Sequence, residues 1–102
     1  MEIRFQHSPK ETSQMDTPQL RSNFLVEGLM QPGNIKLVYS HYDRMIVGGA
    51  VPGSKPIVLP NEGELKASYF LERRELGIIN VGGKGTVAAV GTNYDLDKLE
   101  CV

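Results

Sequence analysis

The sequence predicts an all-β fold of the barrel or sandwich type, and three observations carry that prediction. From Phe24 onward the chain is built of short β-branched and aromatic runs. Those runs are separated by turn formers: Pro32-Gly33-Asn34, Pro52-Gly53-Ser54, Asn61-Glu62-Gly63, Gly82-Gly83 and Gly91-Thr92-Asn93, residues that preset φ or tolerate a positive one. Only one stretch offers a convincing helix start. The 102 residues suit one modest domain with a single core.

Taken in order, residues 1–16 form a polar arm. Ser8, Pro9, Lys10, Glu11, Thr12 and Ser13 cluster there with no sustained apolar period, which predicts a loop able to lie on a neighbouring subunit. The segment Thr17 to Phe24 predicts one short helix. Thr17 offers a capping oxygen, Pro18 the preset φ of a first turn, and Leu20 and Phe24 share a face at i, i+4. Strands are predicted over Phe24 to Leu29, Ile35 to Ser40, Arg44 to Ala50, Pro56 to Leu59, Leu65 to Arg73, Leu76 to Val81, Gly85 to Val90 and Asn93 to Leu96. Pro56 and Pro60 bracket the fourth of these and assign it to an edge, because proline donates nothing to a ladder.

Charge and composition exclude several function classes. Eleven Lys and Arg against 12 Asp and Glu leave a formal net charge of -1, so there is no basic footprint for nucleic acid or an anionic membrane. No apolar stretch approaches the ~20 residues that span a bilayer. The single cysteine, Cys101, excludes an intramolecular disulfide; with no charged-then-apolar leader in Met1 to Lys10, the reading is a reduced, cytoplasmic protein.

Four polar features invite a chemical role. If Glu72-Arg73-Arg74-Glu75 lies on a strand, Glu72 and Arg74 face one way and Arg73 and Glu75 the other. An inward arginine, Arg73 or Arg74, would bind a substrate carboxylate through its fork; the alternative is ion pairing within the cluster or with a neighbour. His41, near Asp43, is either a proton shuttle or part of a hairpin bend, and the surrounding Tyr39-Ser40-His41-Tyr42 favours the bend. Cys101 has Glu100 beside it and no histidine, so a small apolar strand residue is favoured over a nucleophile. Gly82-Gly83-Lys84-Gly85 lacks the trailing Lys-Ser/Thr of a phosphate loop and reads as a hairpin turn. His7, His41 and Cys101 have no local pairing of the kind a zinc site needs, so neither a metal ligand nor a catalytic residue is assigned.

The run GELKASYFLERRELGIINVGGKG, residues 63–85, has the spacing of a cupin metal motif. Gly63, Glu75 and Gly82 match, while Tyr69 and Leu71 stand where the motif has its histidines; both are read as core residues replacing lost ligands. More specifically, LRSNFLVEG, VYSHYDRMIVGGAVP and SYFLERRELGIINVGGKGTV resemble the N-terminal half of the 5-keto-4-deoxyuronate isomerase family.

That resemblance implies an incomplete cupin-like jelly-roll barrel over residues 17–102 behind the arm of 1–16, ending within a continuing strand. It implies a cytoplasmic ketol-isomerase of pectin and uronate breakdown, interconverting 5-dehydro-4-deoxy-D-glucuronate and 3-deoxy-D-glycero-2,5-hexodiulosonate, assembled as a homo-oligomer, a hexamer in the family. It further implies that zinc, held by three histidines and a glutamate in a C-terminal barrel absent here, supplies the Lewis acid. No bound zinc and no activity are then expected of this fragment alone. A reading of another class is a noncatalytic module for assembly or for binding a sugar acid, using Arg73 or Arg74.

Overall fold

A computed structural model describes all 102 residues, Met1 to Val102. Strands dominate and helices are few: β1 (Glu2–Arg4), α1 (Pro9–Ser13), α2 (Thr17–Phe24), β2 (Ile35–Ser40), β3 (Met45–Ala50), a 3-10 turn (Gly63–Leu65), β4 (Gly85–Ala89) and β5 (Thr92–Leu96). The chain divides into two units, Met1–Glu62 and Gly63–Val102. No closed barrel forms; the strands make a three-stranded sheet in the first unit and a two-stranded one in the second.

In the first unit β2 is the central strand. It pairs antiparallel with β3, Ile35 opposite Ala50 through Ser40 opposite Met45. Its other edge takes β1 in parallel, Glu2 opposite Val38 through Arg4 opposite Ser40. Val38 sits at the middle of the sheet and is 1% exposed, the most deeply buried side chain of the unit. The turn joining β2 and β3 carries positive φ at both Asp43 (54°) and Arg44 (52°). The predicted bend at His41 is therefore present, and Met45 N–H closes it on the Tyr42 carbonyl at 3.4 Å.

The arm has more structure than its composition predicts. Besides β1 it contains α1, which Ser8 and Glu11 hold in a reciprocal cap: Ser8 Oγ accepts from Glu11 N–H at 3.1 Å, and Glu11 Oε1 accepts from Ser8 N–H at 3.1 Å. This is the Ser-x-x-Glu capping box, with Pro9 in the first turn. The Ser8 amide above all, then the Ser8 hydroxyl, then His7, hold the Glu11 carboxyl below its ordinary pKa. A depressed folded-state pKa stabilises above the unfolded value and is lost as pH falls through the folded one. We therefore expect the α1 cap to be intact at neutral pH and to loosen only below the ordinary carboxylate range. A side-chain carboxyl NMR titration of Glu11, followed alongside the Ser8 amide, checks this; an ordinary Glu11 midpoint would contradict it.

Helix α2 has the predicted bounds but a different cap. Asp16, one residue earlier than Thr17, accepts from Gln19 N–H at 2.9 Å while Gln19 Oε1 accepts from Asp16 N–H at 2.9 Å. A carboxylate here also faces the positive end of the helix dipole, which a threonine hydroxyl does not exploit. No strand follows over Phe24 to Leu29. Leu25 caps the helix, Gly28 turns with φ 65°, and the chain then runs close over β3 at Gly49. Beyond β3, the segment Pro56 to Leu59 also forms no strand, and Val58 is 84% exposed. Flanked by two prolines, it has too few donors to join a ladder.

In the second unit the long strand predicted over Leu65 to Arg73 is replaced by the 3-10 turn and a further turn. Glu72 N–H bonds the Tyr69 carbonyl at 3.2 Å, and Glu72 Oε2 accepts from Ser68 N–H at 2.8 Å, so the side chain stitches its own turn. That turn buries Phe70 (8% exposed) and leaves Tyr69 59% exposed, reversing the expected core assignment at Tyr69; Leu71 is half-buried. Residues 76–81 form no regular strand. Ile78 and Val102 exchange backbone bonds of 2.8 and 3.0 Å, and Ile79 forms a lone antiparallel bridge with Cys101. Cys101 is thus strand-like in pairing but exposed, not buried as an apolar residue.

Strands β4 and β5 form a hairpin, Gly85 opposite Leu96 through Ala89 opposite Thr92, with Leu96 6% exposed. Its two-residue tip has positive φ at Val90 (50°) and Gly91 (76°), as a type I′ turn requires. A β-branched residue is poorly suited to that region. Val90 is fully solvent-exposed, so nothing is lost in packing when it is replaced. Val90→Asn is expected to stabilise the protein by about 1 kcal/mol, read as a higher urea midpoint.

Candidate functional site

The charged cluster is the first candidate, and its geometry differs from the strand on which its two-faced reading depends. Glu72 and Arg73 lie in the turn that ends at residue 73, and Arg74 and Glu75 follow without strand pairing. Turn residues do not alternate between two faces, so no inward-facing arginine is selected. Arg73 Nη2 is 4.0 Å from Glu72 Oε2, with the Arg73 side chain 70% exposed. A solvated pair at that separation contributes little to stability. Arg74 is half-buried and its neighbour Glu75 exposed.

The cupin-spaced positions lie on turns, bends and unpaired chain rather than on strands. Gly63 opens the 3-10 turn, Tyr69 and Leu71 flank buried Phe70, Glu75 is exposed, and Gly82 follows Asn80, whose Oδ1 accepts the Gly82 N–H at 3.1 Å. Residues 82–84 bend into β4, but not as the expected hairpin turn: the chain before them bonds to residues 99–102, and β4 pairs only with β5.

Both histidines lie in the first unit and both are held by ordinary contacts. His41 stacks on Phe5 with ring centroids 4.8 Å apart and meets the edge of Tyr39 at 5.1 Å; its backbone N–H donates to the Arg4 carbonyl at 2.9 Å. It is packed as part of the bend, against Phe5 and Tyr39 rather than Asp43. His7, which the sequence marks only as a metal candidate, is the more connected of the two. Its Nε2 lies 2.8 Å from Asn23 Oδ1, its Nδ1 3.6 Å from Glu11 Oε2, and its ring edge meets Phe24. Tyr42 Oη accepts from His7 N–H at 2.9 Å and donates to the His7 carbonyl at 3.3 Å, pinning the arm to the β2–β3 turn. The signal that could have found this was the i, i+4 pair His7 and Glu11 straddling the cap.

With the geometry in place, the chain can be compared with known proteins. No family model matches it. It is 48% identical over 102 residues to the 4-deoxy-L-threo-5-hexosulose-uronate ketol-isomerase of Halalkalibacterium halodurans, covering 100% of this chain and 37% of that protein. It is 55% identical over 95 residues to the enzyme of the same name from Formosa agariphila, covering 93% of this chain and 34% of the relative. The chain belongs to the 4-deoxy-L-threo-5-hexosulose-uronate ketol-isomerase family. A relative from Lachnoclostridium phytofermentans, 50% identical over 97 residues, repeats the pattern with 95% of this chain and 35% of its own length.

The chain therefore spans about a third of the length of the curated ketol-isomerases it matches. Zinc, which the family resemblance implies, does not fit the donors available here. No three His, Cys, Asp or Glu side chains converge anywhere in the structure, and Tyr69 and Leu71 offer no ligand at the cupin spacing. No step of a ketol-isomerase reaction is accordingly assigned to residues of this chain. No helix is long and apolar enough to cross a membrane.

Proposed function

We propose that this chain is the N-terminal structural and oligomerisation part of a cytoplasmic ketol-isomerase of pectin and uronate degradation. The whole enzyme would convert 5-dehydro-4-deoxy-D-glucuronate to 3-deoxy-D-glycero-2,5-hexodiulosonate. The observation that carries this is close identity over the full chain against about a third of each relative's length. In this reading residues 17–102 contribute to a cupin-like barrel, and the arm, residues 1–16, belongs with it as an assembly element. The zinc-bearing barrel and its Lewis-acid chemistry would lie in the remainder of the enzyme.

Exposure in the second unit supports a part that needs covering. Ile79 is 68% exposed, Val81 53% and Leu99 72%, apolar side chains that further parts of a larger enzyme would cover. The hairpin β4–β5 also has open edges, a route to pairing with further strands. The purified 102-residue chain, supplied with zinc and the ketouronate, is expected to show no conversion above the uncatalysed background. Zinc-dependent turnover by this chain would overturn the structural assignment.

A further inference from the structure

In the first unit an open depression of about 500 Å³ gathers three cationic side chains, Arg4, Arg21 and Lys36, around one short stretch of backbone. Arg4 Nη1 donates to the Leu25 carbonyl, and Lys36 Nζ donates to the Glu27 carbonyl at 2.8 Å. Arg21 Nη2 is held 3.1 Å from Glu27 Oε2. The three cations come from β1, α2 and β2, and they converge because the Leu25–Glu27 segment passes between those elements.

Each cation keeps donors in reserve. A guanidinium has five N–H groups and an ammonium three. Arg4 gives Nε to Glu2 Oε1 at 2.8 Å and Nη1 to Leu25, Arg21 gives one contact to Glu27, and Lys36 gives one to a carbonyl. Glu2 and Glu27 neutralise the two arginines, so Lys36 leaves the depression with a surplus of one positive charge. Thr17 and Ser22 add hydroxyls to its wall; the Ser22 hydroxyl donates to the Gln19 carbonyl, which leaves its oxygen to accept.

We propose that this depression binds a small hydroxylated monocarboxylate, a sugar acid in chemical class. Its carboxylate lies against Lys36 and the spare edge of Arg21, and its hydroxyls meet Thr17 and Ser22. The single surplus charge matches one carboxylate better than a phosphate dianion, and arginine presents the fork that a carboxylate accepts. The volume falls in the range of small-ligand sites. The site is built entirely from residues of the first unit and stands independently of the isomerase assignment.

The test uses the 102-residue chain, with D-glucuronate as the probe and amide NMR shifts as the readout. Saturable shifts confined to residues 17–27 and 36 are expected, with Lys36→Gln and Arg21→Gln each weakening binding about tenfold. Arg21 is an exposed helix residue whose ion pair contributes little to folding, so Arg21→Gln keeps the experiment informative even if Lys36→Gln perturbs β2. Sodium chloride at matched ionic strength producing the same shifts, or both variants binding unchanged, would overturn the proposal. Inorganic phosphate binding more tightly than glucuronate would overturn the assignment to a carboxylate.

Discussion

Gly49→Ala is expected to destabilise the first unit by about 3 kcal/mol, and Gly49→Val by more. A Cβ at this buried strand position would stand 2.7 Å from the Leu29 carbonyl oxygen and 2.9 Å from its carbonyl carbon. Those are backbone atoms, so no side-chain rotation relieves the contact; the 25–31 segment must lift away from β3. Lifting it would also draw the carbonyls of Leu25 and Glu27 away from Arg4 and Lys36. Gly53→Ala is the control. Nothing lies within 4 Å of its would-be Cβ and its φ is not positive, so it should be neutral or stabilise by about 0.5 kcal/mol. Urea denaturation of the two variants separates the cases, and equal midpoints would remove the close approach from the account of why Leu25 to Leu29 is not a strand.

The second large effect is expected at Asn80. Its Nδ2 donates to the carbonyls of Gly83 (2.8 Å), Leu96 (3.1 Å) and Asp97 (3.2 Å). Two hydrogens serve three acceptors, so at least one bond is shared. Its Oδ1 takes the Gly82 N–H, its backbone N–H reaches the Glu100 carbonyl at 2.9 Å, and its carbonyl receives Leu99 N–H at 2.6 Å. One side chain thereby joins the turn before β4 to the end of β5. Asn80→Ala is expected to cost the second unit about 2–3 kcal/mol. Asn80→Asp should cost more at neutral pH, because a carboxylate faces three carbonyls with no donor, and should recover partly in acid as the group regains one O–H. Residue-resolved urea titration is the measurement; a loss confined to residues 63–102 is expected, and wild-type midpoints there in both variants would refute the hub.

What could be read from the residues follows from how local the deciding forces are. The hairpin β2–β3 was visible because β-branched and aromatic side chains flank a polar bend. The hairpin β4–β5 was visible because Gly91 permits a tight turn. The stretch Leu65 to Arg73 misled because its aromatic pair looks strand-like, although it contains no β-branched residue and Glu72 is placed to bond the Ser68 amide. That turn also removed the alternating faces on which the Arg73 and Arg74 reading rested. In the arm, the spacings Ser8 to Glu11 and Asp16 to Gln19 announce two capping boxes, and a composition-based reading passes over both. The family could be recognised from short blocks because they hold turn glycines and packed aromatics together. The basic depression could not, because its cations are far apart in sequence and meet only when β1, α2 and β2 are assembled.

The parallel pairing of β1 with β2 has a consequence for the order of events during synthesis. Glu2 to Arg4 leave the ribosome well before their partners, Val38 to Ser40. At elongation rates of about 5–20 residues per second the leading strand waits on the order of seconds without its neighbour. β2 and β3 need only a short hairpin closure once both are exposed, which takes microseconds. β1, made before β2 and β3, is therefore placed after them, and anything that slows its docking leaves one edge of a finished hairpin open to other chains.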